Sequence, residues 1–135
     1  MGYRILIVDD SEVVRKVVRK SISMSGLSVA EIFEAGNGRE ALELLRKEWV
    51  DIVLADLNMP EMNGVELIDQ MSKDSLLVSI PVIIVSSEHS EQRIEELRKR
   101  GIRAYIKKPF RPEKFRDVVS EVLGTMGEEV ASEKP

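Results

Sequence analysis

The chain has 135 residues, 43% hydrophobic and 33% charged, which bounds it to one globular domain with a single core. A formal net charge of -4 argues against nucleic-acid binding, which usually needs a basic face, and the lack of cysteine excludes a disulfide framework and a thiolate metal site. No apolar run approaches a membrane span and no signal peptide is visible, so the expectation is a cytoplasmic protein without membrane insertion.

Arg4-Ile-Leu-Ile-Val-Asp-Asp10 reads as a short strand ending in two carboxylates. Ser11 suits the cap of a following helix, with Glu12 at its positive end. Val13, Val14, Val17, Val18 and Ile22 recur at helical spacing and predict a buried face; Arg15, Lys16, Arg19 and Lys20 take the other. Gly26 stops the helix. Val29 to Ala35 is a second strand. Asn37 and Glu40 resemble a capping box, and Ala41, Leu42, Leu45 and Trp49 form the buried stripe of the second helix.

Ile52 to Ala55 is apolar throughout, as in a parallel strand covered on both faces. It ends in Asp56, and a loop containing Pro60 leads to Gly64. There a third helix opens with Val65, Leu67, Ile68 and Met71 inward. Ser72 to Ser79 is a loop. Ile80 to Val85 is a fourth strand with Pro81 tolerated at its start, and it ends in Ser86-Ser87. The helix from about Ser90 has a thin apolar face, Ile94 and Leu97 among charges, and is either a plain solvated helix or a locally mobile one. Gly101 ends it. Ala104 to Ile106 is a fifth strand, followed by Lys107-Lys108-Pro109-Phe110. Pro112 suits the first turn of a last helix, with Phe115, Val118, Val119, Val122 and Leu123 inside and Gly124 as the stop. Residues 125–135 are expected to be a frayed tail, which leaves 1–124 as the domain.

Strands alternating with helices predict an α/β fold: a doubly wound, five-stranded parallel sheet with right-handed crossovers. A flavodoxin-like order 2-1-3-4-5 is expected, because strands one and three then flank the switch point where such sheets place their ligands.

Asp9 and Asp10, Asp56, Ser86 and Lys108 each follow a different strand and so gather at one edge of that sheet. Singly they are capping acids, a turn residue and a surface charge; together they make a site. Carboxylates about 4 Å apart repel by roughly 4 kcal/mol at an effective dielectric of 20. A divalent cation relieves that, and oxygen ligands without histidine or cysteine suit Mg²⁺. The sole histidine, His89, is expected to be a solvated loop residue, which excludes most histidine-based hydrolase and zinc chemistry. Lys108 beside a metal suits an incoming phosphoryl group, to which Ser86 can donate. Asp56 is then the nucleophile, and a carboxylate with an ordinary pKa of about 3.9 needs no general base.

Val8-Asp9-Asp10, Asp56-Leu-Asn-Met-Pro-Glu-Met-Asn-Gly64, Val85-Ser86-Ser87 and Lys108-Pro109-Phe110 resemble the receiver domain of two-component response regulators, in its single-domain CheY-like form, over about residues 3–124. The resemblance implies that Asp56 accepts phosphate from a phosphohistidine on a sensor histidine kinase or phosphotransfer domain, with Mg²⁺ required. It implies that Asp10, Asp56 and the main-chain carbonyl of Asn58 hold the metal, and that Asp9 helps through water. Ser86 and Lys108 would contact the phosphoryl group, and the Lys108–Pro109 bond would be cis. Lys107 is the competing lysine, but the one directly before Pro109 matches the motif. A switch is implied too: Ser86 moves toward the phosphoryl group, Tyr105 turns inward, and the face of the fourth helix, fifth strand and fifth helix changes for a downstream protein target.

Two positions depart from the family's habit. Ser86 stands where threonine is common, and Ser87 where alanine is common. Asn58 and Glu88 occupy variable positions that, with Ser87, tune phosphoryl lifetime in the family. Three other readings fit the fold; one is a degenerate receiver used purely for docking, against which the complete set of acids and lysine argues. A flavodoxin-type mononucleotide binder would want a Ser/Thr/Gly-rich loop where this chain has Asp9-Asp10. A haloacid-dehalogenase-like phosphatase would want aspartate at Asn58. In either switch or relay role the protein would act by binding, without catalysing turnover of another substrate.

Overall fold

The computed structural model describes residues 2–132 except His89, with side chains described through Gly124. The expectation for His89, and the last three residues of the tail, therefore lie outside the described residues. Ten elements alternate along the chain: β1 (Tyr3–Val8), α1 (Glu12–Met24), β2 (Val29–Ala35), α2 (Gly38–Leu45), β3 (Ile52–Ala55), α3 (Gly64–Ser72), β4 (Val82–Ser86), α4 (Glu91–Lys99), β5 (Ala104–Lys107) and α5 (Pro112–Ser132). All strand pairs are parallel and the sheet order is β2-β1-β3-β4-β5, as expected.

Side chains alternate across each strand. Leu6, Val8, Val53, Ala55, Val82 and Ile84 face one layer, which holds Leu42, Leu45, Leu67, Ile68, Met71 and Leu97 of α2, α3 and α4. Ile5, Ile7, Ile52, Leu54, Ile83, Val85 and Ile106 face the other, with Val18, Ile22, Phe115 and Val119 of α1 and α5. Burial on both faces explains the unbroken apolar runs of β3 and β4.

Local signals set the helix ends. Ser11, Asn37, Asn63 and Ser90 each accept a backbone N–H three residues on and cap α1, α2, α3 and α4. Gly26 and Gly101, with φ of 88° and 110°, make the left-handed step after α1 and α4. The full capping box is at Asn63 and Glu66. At Asn37 the return arm goes elsewhere: Glu40 accepts the N–H of Gly36 instead of that of the cap residue.

Four expectations are corrected. Val13 and Val17 are 71% and 50% exposed, because the sheet lies under Val14, Val18, Ser21 and Ile22 and leaves the neighbouring strip bare. Trp49 is 68% exposed: α2 stops at Leu45, so the stripe does not extend to it, and Val50 enters the core instead. Gly124 does not end α5, since among the described residues only Gly26 and Gly101 are glycines with positive φ. The helix runs on through Ser132. Finally, β4 begins at Val82, and the carbonyl of Pro81 accepts the N–H of Val53.

Candidate functional site

Strand register builds the site. Val8 pairs with Ala35 on one side and Ala55 on the other, so Asp9 and Asp56 leave the sheet side by side. The N–H of Asp9 bonds the carbonyl of Ala35, and that of Asp56 bonds the carbonyl of Val8, at 3.1 and 2.9 Å. Ser86 ends β4 opposite Lys107, and the N–H of Lys108 bonds the carbonyl of Ser86 at 2.9 Å. Four neighbouring strand ends thus deliver the predicted residues to one mouth.

Asp9 is buried. Its Oδ1 accepts the N–H of Ser11 at 2.9 Å, and its Oδ2 faces Nζ of Lys108 at 3.5 Å. Asp10 is exposed and Asp56 half-buried, and one carboxylate oxygen from each of the three acids lies within 4.8 Å of the others. Burial pushes the pKa of Asp56 above its ordinary value; the charge of Lys108 opposes this, while that of Asp9 adds to it. Oδ1 of Asp56 accepts the N–H of Leu57 at 2.8 Å. Three acids facing one small space, with oxygen donors alone, fit a hard cation such as Mg²⁺.

The loop after Asp56 folds back closely beneath it. Gly64 donates to the carbonyl of Leu57 at 3.0 Å, and a Cβ there would stand 2.6 Å from the carbonyl oxygen of Asp56. Only glycine permits that approach. The same loop is tied to α2 by the N–H of Gly38 on the carbonyl of Met62, and by Nδ2 of Asn37 on Glu61, whose φ is +61°. Asn58 sits exposed on this loop.

Ser86 is 1% exposed, and its hydroxyl faces both the Asp56 carboxylate and the Tyr105 hydroxyl. Tyr105 already points inward: its hydroxyl donates to the carbonyl of Glu88 at 2.7 Å, and burial raises its pKa. The Glu88 carboxylate accepts the N–H of Ser90 at the start of α4. Ser87 is exposed beside it. Lys108–Pro109 is cis, and Lys108 is the lysine that meets the acids. Lys107 points to the opposite side, into a groove of about 620 Å³ floored by Tyr105, Pro109 and Phe110. Two further grooves along α4, β5 and α5, of about 490 and 270 Å³, are also lined by Tyr105.

One neighbour of the site escaped the sequence reading. Arg15, assigned there to the solvated face of α1, donates through one terminal nitrogen to the carbonyl of Asp9 at 2.6 Å and through Nε to Glu34 at 3.0 Å. The available signal was direction: helical side chains lean toward the N-terminus, so a long one four residues past the cap reaches back over the first turn.

A sequence profile of the response regulator receiver domain matches residues 5–120. The chain belongs to that family. This receiver is 35% identical over 131 residues to the chemotaxis protein CheY homolog of Campylobacter jejuni, covering 96% of this chain and 99% of that protein. It is also 35% identical over 124 residues to the polar-differentiation response regulator DivK of Brucella anthropi, covering 92% and 98%. The solved structure of Vibrio cholerae CheY4 matches it with a TM-score of 0.80 at 30% identity, over 90% of this chain and 99% of that one. The protein is therefore a CheY-like receiver of two-component signalling. Among the described residues no helix is long and apolar enough to cross a membrane.

Proposed function

We propose that this receiver is a phosphorylation-controlled switch, with Asp56 as the residue that takes the phosphoryl group. The observation that carries the reading is the convergence of Asp9, Asp10, Asp56, Ser86 and Lys108 at four strand ends. The donor is a phosphohistidine on a sensor histidine kinase or phosphotransfer domain. An Asp56 carboxylate oxygen forms the new P–O bond while the P–N bond to the donor imidazole breaks. Burial makes that oxygen the better nucleophile, and Lys108 keeps it charged.

Asp10, Asp56 and the carbonyl of Asn58 would hold Mg²⁺, with Asp9 assisting through water; the ion supplies positive charge for the phosphoryl oxygens. Lys108 would take one of those oxygens and the Ser86 hydroxyl another. Asn58, Ser87 and Glu88 border the space that a hydrolytic water must cross and so set the lifetime of the phosphate. Ser86 shares its surroundings with Tyr105, so filling the mouth alters the footing of a side chain that lines all three grooves. A downstream protein target reads that α4–β5–α5 face. The protein's own chemistry stops at its own phosphorylation and dephosphorylation, in a domain spanning residues 1–124, and its place is the cytoplasm.

The test is incubation with acetyl phosphate and Mg²⁺, followed by intact mass. Wild type should gain one phosphoryl group and Asp56→Asn none. An unlabelled wild type, or an equally labelled Asp56→Asn, would overturn the reading.

A further inference from the structure

We propose that Arg15 is a positioning residue for the metal-binding acids, fixing the backbone that aims Asp10; this rests on the function proposed above. Asp10 is the most exposed of the three acids, and among the described residues its carboxylate accepts no hydrogen bond. What is fixed is therefore the position and direction of its Cα–Cβ bond, which the backbone sets while χ1 stays free to follow the ion. The peptide before it is held through the carbonyl of Asp9, which accepts from Arg15 at 2.6 Å. The peptide after it is held through the N–H of Ser11, which donates to Oδ1 of Asp9 at 2.9 Å. Asp10 thus hangs between two pinned peptide planes, and Arg15 supplies one of the pins.

The pin is itself rigid. Nε of Arg15 reaches Oε1 of Glu34 on β2 at 3.0 Å, and Oε2 of the same carboxylate is taken by Arg19 at 3.0 Å. The Arg15 side chain is 18% exposed. Its planar fork serves the carbonyl and the carboxylate at once, which a lysine ammonium cannot do in that geometry. Pairing with Glu34 also offsets its charge, so its effect on a cation site is geometric. The two effects differ in sign. Removing a bare positive charge beside a cation site tightens cation binding; removing a support weakens it.

The test is a calorimetric Mg²⁺ titration of the full chain, with thermal melts as a folding control. Wild type should bind, and Arg15→Ala should bind about 10- to 100-fold more weakly, the range expected for a residue that orients metal ligands. Arg15→Lys should stay weakened, because it keeps the charge and loses the fork. Unchanged or tighter binding by Arg15→Ala overturns the proposal, and so does wild-type binding by Arg15→Lys. Should Arg15→Ala fail to fold, Arg15→Lys alone decides. A wild type that takes up no Mg²⁺ sinks the function proposed above, and the role of Arg15 with it.

Discussion

On the β2–β1 side of the sheet, charged side chains cross-link the elements. Arg4 on β1 stacks over Phe33, pairs with Glu31 and Glu48, and donates to the carbonyl of Trp49 at 2.6 Å. Glu34 on β2 clasps Arg15 and Arg19 of α1. On the β4–β5 side, Arg98, Arg103, Lys107, Arg111 and Lys114 line the grooves, and among the described residues none of them makes an ion pair. There α4 buries only Ile94 and Leu97. Each exposed pair is worth little alone, but those of Arg4 tie the beginnings of β1 and β2 to the segment before β3, and those of Glu34 tie the end of β2 to α1. The difference matches two tasks. Under the function proposed above, metal ligands would need one geometry, whereas a face that reports occupancy would need a low cost of rearrangement.

The largest expected effect tests that contrast directly. Ile22→Ala, at a fully buried position of α1, should lower global stability by about 2–5 kcal/mol in urea unfolding. Ile94→Ala should cost less globally, and the amides of α4 should exchange with deuterium faster than those of α1. Equal protection of the two helices would erase the contrast. Gly64→Ala comes next. Its Cβ would press on the carbonyl of Asp56, so a loss of roughly 1–3 kcal/mol is expected in the same assay.

Last is a pH signature on the site itself. Asp56 has a raised pKa when folded, so between the ordinary value of 3.8 and that raised value the folded state holds more protons than the unfolded one. Stability therefore falls as pH rises through this window, and the ionised carboxylate destabilises the fold at neutral pH. Asp56→Asn should melt higher than wild type at neutral pH, and the gain should vanish as pH falls below 3.8. A gain that persists in acid would mean that charge is not its source.

The five strands, most helix faces and the converging acids were legible because they rest on apolar runs, strand ends and turn residues, whereas the strand order followed from where such sheets place their ligands. What failed depended on neighbours that a one-dimensional pattern does not hold. Trp49 continued the spacing of Leu45, but its helix had ended and Arg4 held its carbonyl. Val13 and Val17 lay beside the true inward strip of α1, and only the position of the sheet decides between adjacent strips. Gly124 is compatible with a helix interior at about 1 kcal/mol relative to alanine, so its presence alone could not end α5. The inward pose of Tyr105 and the reach of Arg15 are rotamer facts, invisible before the fold is built.

The Asp9–Lys108 contact bridges 99 positions, joining the first strand to the segment after the last. A nascent chain still lacking β5 cannot possess that charge pair, and neither can a molecule whose final third has come loose. The acids thus gain their lysine partner only once the last strand is in place.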